Sequence, residues 1–575
     1  MTLIPSYAII FVLYYWEDNE VNCRELIEGF IYPHLEKFTD MVYRGGENTE
    51  FMNVRPSDDT NYFTYGALTC GACILFAHYK KTADPRAEIA KERLCEFIRI
   101  ASSHPCNTWG KLGILRGFNL LSERGLICEI PTSLIEAIKE KTNYEDFFDK
   151  ETLKLRGKPT NYLHVAMACA GYRERLGWEN DGYAAKISEI LVNVLKNNKD
   201  GWMDDEIPYG RYDRYAIAVP SEFADLASDI GLPLPKTVQD NLSLCAKNML
   251  FMANPTGDAI LYGRSVACHG DACAPEVISS AFVYDLIPES DKNIALSYSY
   301  TVLKKMITYW YDAEMGSFNL WFNGRSTNNY RSIKRVYEVN LDLAIHLFAT
   351  LKNLERAGLA DTEITATIPE NDKWESLTVN FSKDEDNERS LVILKRKGRL
   401  MLIPFVGTGK SMGRTVAYYP FPVMARMLEA CATAEYPFMV PEYVDNEGNV
   451  YRPSNYFTNI SVTNGDDTVT VVANGYLSCV NEVTPKMTDI PFVHTITVCA
   501  NKVTLKTKCD LDFPMARTYY ASADERVVIE PFGYDEVVSQ APEQDTNGIH
   551  QKLVGFLNCQ TKNTSILGSV ITLPI

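Results

Sequence analysis

The sequence is poor in positive charge and in histidine. Its 575 residues include 57 Lys and Arg against 74 Asp and Glu, a net charge of −17, and 8 His. A chain this acidic repels phosphates, which argues against a general nucleic-acid binder, and an acidic ligand would require a locally basic cleft. Hydrophobic residues make up 46% and charged residues 23%, which excludes the disordered and fibrous classes.

Long hydrophobic runs are missing as well. The apolar run 9–13 is too short to span a bilayer, so no membrane partner is expected. Residues 1–16 lack a basic start and a small-residue cleavage site, which makes them a weak secretion signal. Sequons fit a secreted chain but are common by chance, and they occur at Asn241, Asn380, Asn459 and Asn563. We predict a secreted or extracellular protein, with the cytoplasm as the alternative, and the sequence gives no sign of its oligomeric state.

The motifs of several enzyme classes are also absent. Neither G-x-S-x-G nor HExxH occurs, so a serine hydrolase and a zincin are not supported. The run Gly407–Ser411 resembles part of a phosphate loop, but Pro404 stands where that loop needs a glycine. The 15 Cys are scattered, and Cys268, His269 and Cys273 match no common zinc spacing. We therefore expect no cofactor and no metal.

Up to about residue 360 the chain has helical periodicity. In one stripe Ile187, Ile190, Leu191, Val194 and Leu195 recur at spacings of three, one, three and one, as in an amphipathic helix. About a dozen such segments with short links predict antiparallel hairpins, six or seven of which would close into an α/α toroid, with an open solenoid as the competing arrangement. The clearest segments are 65–80, 85–103, 109–124, 160–176, 183–197, 236–253, 271–286, 293–310 and 333–356.

After Asp361 the period changes to two. Leu377, Val379 and Phe381 alternate with polar residues, and two apolar runs flank Lys395–Arg399 as in a hairpin. Short strands continue to the end, with a turn at 501–502 and one interrupting helix, Pro422–Ala434. We predict an α+β multidomain protein: an (α/α) toroid over 1–360 and an antiparallel β-sandwich over 361–575, joined by the polar segment 361–372.

The first candidate cluster is Lys158–His164. Asn161 and His164 are three residues apart and share the face of a helix start, where free backbone N–H groups favour an anion. The basic residues of the segment 154–158 add positive charge. The pattern predicts a carboxylate-binding site, and the alternative is a helix capped by Thr160 whose Asn and His are only hydrogen-bonded.

The second cluster, Asp200–Tyr215, is dense in tyrosine and arginine. A neighbouring guanidinium favours the phenolate form of tyrosine, which makes a tyrosine here a candidate for proton transfer. The acidic run Asp204–Glu206 offers a hydrolase carboxylate set or a metal site instead, and a polar loop with aromatic anchors is the structural alternative. The candidates are Trp202, Tyr209, Arg211, Tyr212, Arg214 and Tyr215.

The third cluster is Leu261–Cys273, which contains Tyr262, Arg264 and His269. Arg264 could clamp a carboxylate through two parallel hydrogen bonds. His269 is a candidate base. The structural alternative is a glycine-rich turn that caps a helix.

Taken in order, these features resemble the toroid-type polysaccharide lyases, the group of heparinase II/III-like, chondroitin AC-like and alginate lyases. The resemblance implies β-elimination on a uronate-containing polysaccharide. It implies that Asn161 neutralises the uronate carboxylate, that Tyr215 or Tyr212 is the acid and also a candidate base, and that His269 or His164 is the second proton carrier. It also implies that Arg264 holds the acid group. The other predicted substrate contacts are Arg211, Arg214, Tyr209, Tyr262 and Trp202.

Two other functions fit the sequence. A glycoside hydrolase on a similar toroid would need two carboxylates about 5–10 Å apart. A non-catalytic glycan-binding protein would use the same aromatic and basic residues without turnover. The expected partner is in each case a glycan, for the lyase an acidic polysaccharide. The candidate hydrolase carboxylates are Asp204, Asp205, Glu206, Asp213 and Asp271.

Overall fold

The structure is a computed structural model. The residues that it describes are 22–203, 214–263, 266–323, 325, 332–381, 388–406, 420–428, 439–481, 485–539 and 555–574. In these ranges no helix combines the length and the apolar character needed to cross a membrane.

The helical part begins the chain, and its described residues form twelve α-helices. They are α1 (Cys23–Gly45), α2 (Thr64–Lys81), α3 (Ala87–Ser103), α4 (Thr108–Glu123), α5 (Thr132–Lys141), α6 (Tyr162–Arg175), α7 (Tyr183–Leu195), α8 (Arg214–Ile230), α9 (Lys236–Phe251), α10 (Cys268–Val283), α11 (Lys292–Lys305) and α12 (Val336–Arg356). All nine segments selected by periodicity are helical, and the structure adds three helices, α1, α5 and α8, that the periodicity did not select.

The even-numbered helices form a closed inner ring. Each packs on the next, from α2 to α12, and α12 packs back on α2. The odd-numbered helices lie outside: α1 contacts α12, α3 contacts α2, and α7 contacts α6. Burial explains this sorting, because 15 of the 18 residues of α2 are buried but only 4 of the 13 residues of α7. The predicted toroid is confirmed, and the open solenoid is wrong.

Glycine allows two inner helices to approach closely. A Cβ atom on Gly66 of α2 would lie 2.1 Å from the carbonyl oxygen of Gly110 on α4. The backbones of the two helices are therefore in direct contact at this point, which no larger residue permits. This contact fixes the beginning of α4, the helix that carries Trp109 and Arg116.

A three-stranded antiparallel sheet follows the helices. Its strands are β1 (Glu375–Asn380), β2 (Ser390–Arg396) and β3 (Arg399–Phe405), in that order. Lys397 and Gly398 connect β2 and β3 with φ of 46° and 70°, as a type I′ turn requires. The predicted hairpin at Lys395–Arg399 is confirmed.

A ten-stranded antiparallel sheet forms the rest of the β region. Its strands are β4 (Glu442–Val444), β5 (Val450–Asn464), β6 (Val469–Cys479), β7 (Lys486–Val498), β8 (Lys502–Cys509), β9 (Met515–Ser522), β10 (Val528–Phe532), β11 (Glu536–Ser539), β12 (Gly555–Thr561) and β13 (Ile566–Thr572). Their order in the sheet is β10-β13-β8-β7-β6-β5-β4-β9-β12-β11. The predicted turn at 501–502 lies between β7 and β8, where the N–H of Cys499 donates to the carbonyl of Lys502 at 2.8 Å.

The helix predicted over Pro422–Ala434 is wrong where the structure describes it. Val423 pairs with Leu402 of β3 through hydrogen bonds of 2.7 and 2.9 Å. Arg426 has a φ of 63°, which an α-helix does not tolerate. Residues 429–434 lie outside the described residues.

The helical part and the first sheet meet at Asp200. Its carboxylate accepts hydrogen bonds from the backbone and side-chain N–H groups of Asn380, each at 2.7 Å. The last helix ends at Arg356 and the first of these strands begins at Glu375. The division of the chain at residue 361 falls in this interval and stays a prediction.

Candidate functional site

A cleft of about 1410 Å³, counted to its open mouth, lies at one end of the inner ring. Residues from the start of every inner helix line it, so the six helices run parallel and their N-terminal ends meet here. Each N-terminal end carries the partial positive charge of its helix dipole, so the cleft favours anions. The lining residues from these helix starts are Phe63, Ala67, Trp109, Asn161, Tyr162, Arg214, Tyr215, His269, Arg335 and Glu338.

Aromatic rings form one wall of the cleft. The ring centre of Trp109 lies 6.0 Å from that of Tyr215 and 6.3 Å from that of Tyr162. The ammonium group of Lys158 lies 5.6 Å from the centre of the Tyr162 ring. Flat rings beside a cation suit the stacking of a sugar that carries a negative charge.

The charges of the cleft are predominantly positive. Arg335 and Glu338 neutralise each other through two hydrogen bonds of 3.0 and 2.8 Å. In the described part of the chain, Arg116 at the floor and Lys158 at the rim take part in no hydrogen bond or ion pair. The protein as a whole is acidic, but this cleft offers two cations that form no ion pair with a described residue.

A chain of ionic contacts runs below the cleft. Arg214 donates to Glu276 at 2.7 Å, and His346 Nδ1 lies 2.9 Å from the other oxygen of Glu276. Asp342 Oδ2 lies 3.5 Å from His346 Nε2 and 3.5 Å from His269 Nε2. Burial lowers the pKa of His346, but Glu276 and Asp342 outweigh it and raise that pKa to about 9. The protonated His346 therefore joins two carboxylates that hold Arg214 and His269.

Both carboxylates stay ionised in this arrangement. Burial raises the pKa of Glu276, but Arg214 and His346 bring it below the usual range. Burial also raises the pKa of Asp342, but His346 and His269 outweigh it and hold that pKa well below the usual range.

His164 and Glu222 form a second pair, deeper in the ring. His164 Nε2 lies 3.0 Å from Glu222 Oε2. Burial, together with Arg116, lowers the pKa of His164 to about 3, so its ring is neutral. Burial raises the pKa of Glu222 to about 7 against the opposing effect of Arg116 and Arg214, so a substantial fraction is protonated at neutral pH.

The structure brings four of the predicted site residues to the same cleft. Asn161, Arg214, Tyr215 and His269 all line it. His164 instead faces the inner cavity beneath the floor. The predicted residues outside the described part of the chain are Tyr209, Arg211, Tyr212 and Arg264, together with Asp204, Asp205, Glu206 and Asp213.

Three predicted candidates need correction. Trp202 and Tyr262 are both fully buried, and the Trp202 ring packs 5.6 Å from that of Phe381, so their positions support packing and not substrate contact. Asp271 is bound to Lys305 at 2.8 Å and is buried, which removes it from the candidate hydrolase carboxylates.

The N-cap position of α6 also differs from the prediction. It is Asn161 and not Thr160. Asn161 is buried at the cleft wall, at the positive end of the α6 helix dipole.

Sequence reasoning missed the residues that lie in the middle of the inner helices. Each lies inside a largely buried helix and outside the three candidate clusters. The available signal was a charged or ionisable side chain in such a helix, because it needs a partner or a function. These residues are Arg116, Glu222, Glu276, Asp342 and His346.

Comparison with known proteins identifies the fold. No protein-family model matches the chain, and no curated protein matches it in sequence. Among solved structures, Paenibacillus xanthan lyase is 9% identical with a TM-score of 0.50, covering 99% of this chain and 60% of that one. Chondroitin AC lyase of Streptomyces coelicolor A3, solved with chondroitin sulphate, is 9% identical with a TM-score of 0.48, covering 94% and 79%.

The chain thus has the fold of the toroid polysaccharide lyases, as the order of its motifs predicted. It spans 60% of the length of the xanthan lyase chain. At this identity the likeness concerns the fold alone, so the chemistry has to be argued from the residues of the cleft.

Proposed function

We propose that the protein is a polysaccharide lyase that cleaves a uronate-containing polysaccharide by β-elimination. The observation that carries the proposal is the cleft itself. It combines Asn161 and Tyr215 with unpaired positive charge, at the meeting point of six helix N-termini, in a protein of net charge −17.

The reaction needs this kind of environment. A base removes the proton α to the uronate carboxylate, the bond to the glycosidic oxygen breaks, and its electron pair leaves with that oxygen as a double bond forms in the sugar ring. The carboxylate gains negative charge in the transition state, and preorganised donors must stabilise it. Asn161, which is buried at the cleft wall beside the positive end of the α6 dipole, is such a donor.

Tyr215 is the proposed proton-transfer residue. It lies on the cleft wall, and the guanidinium carbon of Arg214 is 5.6 Å from its ring centre. As phenolate it takes the α-proton, and as phenol it returns a proton to the leaving oxygen, so that one residue serves both steps of a syn elimination. His269, held by Asp342, is the second proton carrier if the two steps are divided.

The test is the ultraviolet absorbance of the conjugated double bond while the protein acts on a panel of uronate polysaccharides. We expect a rise with the wild-type protein and a loss of at least about a hundredfold in kcat for Tyr215→Phe. Tyr43→Phe is the matched control, because Tyr43 is 37% exposed on α1 away from the cleft. Equal turnover by both variants would exclude Tyr215 as the acid.

One observation favours a second function, that of a glycoside hydrolase. Glu222 has a pKa raised to about 7 while Glu276 stays ionised, and carboxyl groups whose pKa values are driven apart are typical of an acid and base pair. This function predicts new reducing ends without ultraviolet absorbance, and their loss in Glu222→Gln. In this second function the two hydrolase carboxylates are Glu222 and Glu276 of the inner helices, and not residues of Asp204–Glu206.

A further inference from the structure

An inner cavity of about 70 Å³ adjoins the floor of the cleft. Four residues line both spaces and form the boundary between them: Arg116, Glu222, Ile345 and His346.

The carboxylates around Arg116 are all engaged elsewhere. Glu222 lies 3.0 Å from His164, and Glu276 is bound by Arg214 and His346. Asp225 accepts hydrogen bonds from Ser280 at 2.6 Å and Asn353 at 2.8 Å. Asp229, deeper in the cavity, is likewise bound, by Lys352, Arg356 and Tyr172.

Arg116 therefore forms no ion pair with any described residue, although Glu222 and Asp225 favour its charged form. A half-buried guanidinium without an anion forgoes a favourable interaction that a bound carboxylate would supply through two parallel hydrogen bonds. Arg116 and Glu222 influence each other's pKa, yet they form no ion pair. Both side chains line the cleft and the inner cavity, so both face space that a ligand can enter.

The protonation state of Glu222 determines how strongly an anion can bind beside Arg116. The titratable groups that face it are Arg116, Arg214, His346 and Glu276, together with His164, whose Nε2 lies 3.0 Å from Glu222 Oε2. As a carboxylic acid it places no negative charge opposite the ligand. As a carboxylate it would repel the ligand and compete for Arg116.

We infer that Arg116 and the protonated form of Glu222 together bind a carboxylate group of the ligand at the floor of the cleft. The inference rests on the proposed function for the identity of the ligand, a uronate, but not for the presence of the site. Binding is coupled to one proton, so affinity falls as the pH rises, by up to about tenfold per pH unit once Glu222 ionises.

The experiment measures the rise in melting temperature caused by D-glucuronate, with D-glucose as the neutral analogue, at about pH 6 and about pH 8. For the wild-type protein we expect stabilisation by glucuronate alone, and a smaller one at the higher pH. Arg116→Gln should lose it at both pH values, whereas Glu222→Gln should keep it and lose the pH dependence. Arg44→Gln, on an exposed arginine of α1, is the control and should behave as wild type.

Several results would overturn the inference. They are equal stabilisation by glucose and glucuronate, unchanged binding in Arg116→Gln, or equal competition by sulfate, which would indicate a general anion site. If Arg116→Gln does not fold by circular dichroism, Arg116→Lys replaces it and should weaken binding at least about tenfold, because it loses the bidentate geometry. Glucuronate binding without lyase activity would reject the proposed function and leave the site, whereas lyase activity in Arg116→Gln with unchanged KM would reject the site alone.

Discussion

His346 allows the ionic chain below the cleft to be tested through stability. Its imidazolium group contacts Glu276 at 2.9 Å and Asp342 at 3.5 Å, and its pKa rises from 6.5 to about 9 on folding. A shift of about 2.5 pH units corresponds to about 3 kcal/mol of unfolding free energy. Because the pKa of the folded state is the higher one, this contribution is fully present below pH 6.5 and is lost as the pH rises through about 9.

The variant His346→Gln should therefore lose a specific part of the pH dependence. Between pH 6.5 and pH 9 the wild-type free energy of unfolding should fall by about 3 kcal/mol more than that of the variant. Urea denaturation followed by far-ultraviolet circular dichroism at several pH values measures the difference. The matched control is His104→Gln, which removes a histidine with one carboxylate, Glu47, at 3.4 Å. Parallel pH profiles of the wild type and His346→Gln would refute the reasoning, because His346 would then carry no extra proton in the folded state.

Three further predictions concern packing, burial and turnover. Gly66→Ala places a Cβ atom 2.1 Å from the Gly110 carbonyl oxygen and should cost about 1–3 kcal/mol in urea denaturation, more than Gly113→Ala, whose nearest contact would be 3.3 Å. Burial raises the pKa of Asp225 from 3.8 to about 6, so wild-type stability should decline as the pH rises through that interval, and Asp225→Asn should remove the decline in the same assay. Asn161→Ala should lower kcat on a cleaved polysaccharide at least about a hundredfold with little change in melting temperature, and unfolding of this variant would instead indicate a structural cap.

Local patterns predicted the elements of the fold because each element is encoded over a short stretch. The stripe of Ile187, Leu191 and Leu195 became the buried face of α7, and the run Lys395–Arg399 became a tight hairpin turn. The closure of the ring was inferred from the number of hairpins and not from any contact. It depends on the packing of α12 against α2, which no local periodicity encodes.

The site was predictable to the extent that its residues lie at helix starts. Asn161, Tyr215 and His269 stand beside polar loops, where composition marks them. Trp202 and Tyr262 have the same surroundings in the sequence but became core residues, since an aromatic ring beside a loop is equally suited to anchor that loop. Arg116 and His346 have apolar neighbours, and their function as a group exists only after six distant helices have assembled.

The location of charge explains how an acidic protein could bind the acidic ligand that we propose. At physiological ionic strength, exposed charges are screened over about 8 Å, so the acidic surface opposes the approach of a polyanion only at short range. At the cleft the opposite sign prevails, because helix N-termini, Lys158 and Arg116 face inward while Glu276 and Asp342 are already bound to His346. Screening by salt is weakest in the buried floor of the cleft, so the carboxylate that reaches Arg116 should contribute most to affinity. Under this proposal, we expect the protein to discriminate between a uronate and a neutral sugar at the floor of the cleft and not at the rim.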